Sequence, residues 1–96
     1  MKQTEMFMNA LVKVAKFVYP NIVIDSKRTE RIEQNGGVYM TYEINGYDEE
    51  KMVEVTILST GFVLGDNYYG KQIEIIENGV TRYFPFYGFN WVYLME

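Results

Sequence analysis

Asp48, Glu49 and Glu50 stand side by side after Tyr47, and Glu54 follows four residues on. The chain has no histidine and no cysteine, which leaves carboxylates to carry any metal or acid–base chemistry. Without histidine it lacks the commonest general base, the usual activator of a serine nucleophile and the commonest metal ligand. Without cysteine it lacks thiolate zinc ligands and thiol catalysis. Carboxylate oxygens suit Ca²⁺ or Mg²⁺, yet residues 48–50 have neither the alternating ligand spacing nor the central glycine of an EF-hand loop. No glycine-rich phosphate loop of the GxGxxG or GxxxxGK[ST] type occurs. Paired carboxylates for glycoside hydrolysis need a substrate cleft, for which a sheet protein of 96 residues has little room. The acidic cluster therefore reads as a solvated hairpin tip. We expect no metal, no cofactor and no enzymatic activity.

Charge is distributed unevenly along the chain. Residues 1–35 hold six basic and four acidic side chains, whereas residues 36–96 hold three basic and nine acidic ones. An acidic surface repels phosphate backbones, so nucleic acid is a disfavoured partner and a protein with a basic surface a favoured one. Lys27, Arg28 and Arg31 make the one basic cluster, diluted by Glu30 and Glu33, and read as a hairpin arm of mixed charge. The apolar N-terminal run is interrupted by Asn9, Lys13 and Lys16 and has no small-residue cleavage site. It is too short and too charged to span a bilayer. Together with the absence of cysteine, this leads us to expect a cytoplasmic protein with no membrane association.

One N-terminal helix and a run of strands must position these groups. Lys2, Glu5, Asn9, Lys13 and Lys16 recur at three- and four-residue steps, which predicts a helix over 3–19 with Phe7, Ala10, Leu11, Val14 and Val18 buried. Pro20 ends it. From residue 22 to 94 the pattern is β-rich. Ile22 to Ile24 reads as a short strand, interrupted at Asp25-Ser26. Val38 to Ile44 and Met52 to Leu58 alternate with period two. Asn35-Gly36, Asn45-Gly46 and Asn78-Gly79 all read as turns, because Asn-Gly tolerates the positive φ that a tight hairpin requires. Residues 59–70 read as a short strand and a loop. The last hairpin should pair Glu74 with Tyr83 and Ile73 with Phe84.

The expectation is thus a single α+β domain, 1–96. One helix packs on a five- to six-stranded antiparallel meander, either open or curled into a small barrel. The order strand, break at Pro85–Gly88 and final short strand is similar to the end of SH3-like and Sm-like barrels. That resemblance covers roughly residues 71–94 and is topological. No family motif accompanies it, so it implies no functional residue.

Seven of the eleven residues from Tyr83 to Tyr93 are aromatic. A sheet consumes about half of such a run in its own core, which assigns Phe84, Phe86, Phe89 and Trp91 inward and Tyr83, Tyr87 and Tyr93 outward. Nine tyrosines exceed what one small core can bury with every hydroxyl satisfied. Tyr39, Tyr42, Tyr47, Tyr68, Tyr69 and Tyr87 are the expected solvent-facing ones. Tyrosine beside carboxylate suits a protein interface, since the ring supplies area and the charge supplies steering. Tyr47, Asp48, Glu49, Glu50, Asp66, Tyr68, Tyr69 and Tyr87 are accordingly the expected partner-binding residues.

The function these features favour is a small acidic protein that binds another protein of basic surface. One concrete form is an inhibitor that occupies the nucleic-acid site of its target, as phage-encoded anti-defence proteins such as anti-CRISPRs do; the size and charge resemble that group. Two alternatives stand beside it. One is a nucleic-acid-binding barrel that stacks bases on the 83–93 aromatics and grips phosphate with Lys27, Arg28 and Arg31. The other is a self-associating subunit whose sheet edge or helix face is completed by a second copy.

Overall fold

A computed structural model describes residues 3–64, 67–70 and 73–83. Helix α1 (Gln3–Val18) forms where the 3.6-residue period demands it. Phe7, Ala10, Leu11, Val14 and Ala15 share one stripe, and all are buried. The Tyr19 amide still closes on the Ala15 carbonyl at 2.8 Å, after which Pro20 stops the helix. Among the described residues no helix is long and apolar enough to cross a membrane.

Six strands follow: β1 (Ile22–Gln34), β2 (Gly37–Asp48), β3 (Val53–Leu64), β4 (Asn67–Gly70), β5 (Glu74–Glu77) and β6 (Val80–Tyr83). All pair antiparallel in the order β1-β2-β3-β5-β6. Strand β3 is long enough to take two neighbours along one edge, with 61–64 paired to β4 and 55–58 to β5. The result is an open α+β sheet and not a barrel.

The helix covers one sheet face. Met40, Tyr42 and Ile44 of β2, Val55 and Ile57 of β3, and Ile73 and Ile75 complete a core with the helical stripe. Phe7 meets Tyr42 edge to face at 5.9 Å. Tyr42, expected at the surface, is instead buried. The period of two that puts Met40 and Ile44 under the helix carries Tyr42 there too.

Three other expectations change. Residues 22–34 are one strand, and the interruption at Asp25 is a bulge between Ile24 and Ser26 within the β1–β2 pairing. Residues 59–70 hold the end of β3 and a short β4 folded back on it. Asn45-Gly46 is strand, whereas Asn35-Gly36 and Asn78-Gly79 are the tight turns, with φ of 53° and 78°, and 50° and 81°. At Gly46 the glycine serves close approach: a Cβ there would sit 2.6 Å from the Val23 carbonyl oxygen, where the bulged β1 leans on β2. The expected pair Glu74–Tyr83 is present. Phe84, Asp66, Tyr87 and the rest of the 84–94 aromatic run lie outside the described residues.

Gly61 decides whether β4 can dock. A Cβ there would collide with the Tyr69 carbonyl and the Gly70 Cα. Gly61→Ala is therefore expected to lower stability by about 1–3 kcal/mol in urea unfolding. Gly37→Ala, whose Cβ would meet nothing closer than 3.4 Å, should be near neutral in the same assay.

Candidate interaction surface

The acidic turn is built from its first residue. Asp48 ends β2 on the helix-covered face and is 2% exposed. Its Oδ2 accepts the Lys51 amide at 3.1 Å, and its carbonyl accepts the Met52 amide at 2.7 Å. This is the geometry of a capped single helical turn, closed by Met52 at φ 58°. Asp48 is thus a turn-forming residue and not a surface contact, because its place in the alternation of β2 turns it inward. Its Oδ1 has no hydrogen-bond partner among the described residues. Glu49 and Glu50 are exposed at the tip, and Glu50 accepts from the Asn21 amide nitrogen at 3.0 Å. Among the described residues no three metal-ligating side chains converge.

Among the described residues no helix lies on the opposite sheet face. Its centre is a polar lattice that runs across three strands. Asn45 donates to Glu43 at 2.9 Å and to Ser26 at 3.5 Å, and it accepts from the Thr56 hydroxyl at 2.7 Å. One row further along, the Thr41 and Thr60 hydroxyls meet at 3.3 Å. Beyond them the face becomes apolar. Register places Ile32 opposite Tyr39, Tyr39 opposite Phe62 and Phe62 opposite Tyr69, so four strands contribute one row. These four are each 40–46% exposed. Phe62 and Tyr69 stack at 5.2 Å and 20°. Leu64, 65% exposed, extends the patch.

The charges on this face are mostly negative. Alternation assigns it Glu30, Glu43, Glu54 and Glu74 against Arg28, which approaches Glu43 at 3.8 Å. Lys27 and Arg31 fall on the other side of β1, so the three cations do not make one phosphate grip. At the far end, a shallow concavity of about 460 Å³ lies among Tyr47, Met52, Glu54, Thr56 and Ile76.

A second cluster fastens the helix end to the last hairpin. Tyr19 is buried, accepts from Arg82 at 2.8 Å and donates to Glu77. Lys51 pairs with Glu77 at 3.3 Å and lies 5.3 Å from the Tyr19 ring centre. The Tyr19 hydroxyl, then Lys51 and Arg82, hold the Glu77 carboxyl below its ordinary range, while burial pushes the Tyr19 phenol up.

The expected binding residues therefore separate. Tyr47 is half-buried at one end of the uncovered face, paired with Glu54. Tyr69 is exposed at the other end, eight β3 residues away, which is about 27 Å. Tyr68 lies on β4 opposite Val63. The partners that make Tyr69 part of a patch, Ile32 and Phe62, were not singled out by residue type. The signal for them lies in combining the period of β2 with a β3 that runs on past Gly61.

Two outcomes follow from these clusters. Asp48→Ala should cost about 0.5–2 kcal/mol by losing the cap, and Asp48→Asn, which keeps an acceptor, should cost less in the same denaturant series. Glu77 has a depressed folded pKa, so its stabilisation is present above its ordinary value of 4.5 and is lost as pH falls through the lower folded value. Glu77→Gln should flatten the fall in melting temperature over that acidic window. Comparison with protein-family models, with curated proteins and with solved structures finds no match to this chain.

Proposed function

We propose that this chain is a non-catalytic docking module whose uncovered sheet face binds a protein with a basic surface. The observation that carries the reading is the exposed row Ile32, Tyr39, Phe62 and Tyr69, on a sheet face whose charges are mostly negative. Apolar side chains gathered on one face leave unfavourable contact with water that a partner relieves, and rings supply much area at little entropic cost. Glu30 beside the row, with Glu43, Glu74 and Glu54 farther along the same face, would steer a cationic partner and reject an anionic one. Glu49 and Glu50 at the tip add to the same field.

This reading keeps the chemistry expected from sequence and moves its centre. The aromatic row replaces the 47–50 turn as the anchor, and the turn lies at the far end of the same sheet. A basic surface that normally holds nucleic acid meets the requirement, and covering it would make the chain an inhibitor of that partner. Support for a nucleic-acid platform is weaker, because Lys27 and Arg31 are separated by the strand from Arg28 and from the aromatic row.

Affinity capture from native lysate tests the proposal when run with and without nuclease. Wild type, the Tyr39→Ala/Phe62→Ala pair and the Glu49→Gln/Glu50→Gln pair serve as baits. The expected result is a basic protein held by wild type regardless of nuclease, lost from the aromatic variant and weakened by salt in every case. Losing the wild-type capture on nuclease treatment would replace the proposal with nucleic-acid binding. Equal capture by the aromatic variant would remove the row from the interface.

A further inference from the structure

Among the described residues β1 pairs with β2 alone, and none of them pairs with the backbone groups of its outer edge from the bulge to the turn. Which groups point outward follows from the hairpin. The two-residue turn at Asn35-Gly36 makes Gln34 and Gly37 its hydrogen-bonded flanking pair. Alternation then turns the Ile32 and Glu30 amides toward β2 and those of Glu33, Arg31 and Thr29 outward.

We propose that a second copy of this chain pairs antiparallel with this edge about a two-fold axis at Ile32. A two-fold axis normal to the sheet must pass through one residue, which then faces itself. The charge pattern tests each centre in turn. Axes at Lys27, Arg28, Glu30, Arg31 or Glu33 place a like charge against itself. An axis at Thr29 sets Lys27 against Arg31. Ile32 is the one centre between Lys27 and Glu33 that opposes no like charges. It places Arg31 opposite Glu33 of the other copy twice over, and Ile32 opposite Ile32.

Both charged residues are exposed, at 59% and 65% of the side chain, and they now pair within one strand at 2.7 Å. The same ions can exchange partners across the axis without leaving water. The symmetric assembly also joins the two aromatic rows, so that Tyr69, Phe62, Tyr39 and Ile32 of one copy run on into the same four of the other. Two docking faces then become one. The pairing goes beyond the proposed partner binding and is measured without any partner, so either can fail alone.

The absence of native cysteine makes the register testable. At the axis, Ile32 would form a non-hydrogen-bonded pair with Cα atoms about 4.5 Å apart, within disulfide range. The experiment follows the mass of the purified chain by sedimentation across a concentration series and then oxidises single-cysteine variants. Expected are a concentration-dependent dimer, a covalent dimer from Ile32→Cys and none from Arg28→Cys, whose thiols the axis holds far apart. Glu33→Arg should weaken the dimer by about tenfold by opposing Arg31, and Arg31→Glu/Glu33→Arg should restore it. A monomer at every concentration overturns the proposal. So does equal cross-linking of the two cysteine variants, or a double charge swap no better than the single one. Far-UV circular dichroism of each exposed-site variant confirms that the fold is retained.

Discussion

A helix of 16 residues is about 24 Å long, whereas strands of 12 and 13 residues run to about 40 Å. That mismatch governs this molecule. One helix can bury one face of the β2–β3 ribbon over part of its length. The covered stretch is visible in β2, where Met40, Tyr42, Ile44, Gly46 and Asp48 are buried in alternation. It is visible again in β1, where Ile22 and Ile24 are half-buried and every residue after them is exposed. Among the described residues, the β1–β2 arm and the reverse face are then made compatible with water by side-chain chemistry.

The chain meets this in two ways. At the centre of the reverse face, Asn45 bonds to Ser26 on β1 and to Thr56 on β3, and also to Glu43 beside it on β2. A polar lattice of this kind satisfies the side chains and also ties the register, since a slip of one residue would break each cross-strand bond and invert the faces. Along the edge, Lys27 to Glu33 carry five charges in seven residues. Charge discourages indiscriminate edge pairing and selects among registers. The row from Ile32 to Tyr69 follows neither device, and it is this departure from an otherwise solvated face that singles it out.

The Tyr19 cluster deals with a different weakness. The β5–β6 hairpin is two strands of four residues, and β6 is exposed along its length. Such a hairpin is marginal on its own. Tyr19 holds it to the helix end by bonding to Arg82 and Glu77 at once. Burial of the phenol makes both bonds stronger than they would be in water.

Composition and period were enough to establish the α+β class, the limits of α1, the alternation in β2 and β3 and the last hairpin with Glu74 opposite Tyr83. Each depends on contacts a few residues apart, or on a pattern repeated along one element. The lack of histidine and cysteine likewise narrowed the accessible chemistry without reference to any fold. Three features depended on tertiary structure. Asn45-Gly46 has the sequence of a turn, but β1 leaning on Gly46 and three side-chain bonds to Asn45 keep it in a strand. Asp48 has the composition of a solvated tip, but strand parity turns it to the buried side of the sheet. The row from Ile32 through Tyr39 and Phe62 to Tyr69 draws on four strands 37 residues apart at its ends, and only the register of three ladders brings it together. Long-range pairing is set by the total burial of the sheet, which no local window of sequence contains.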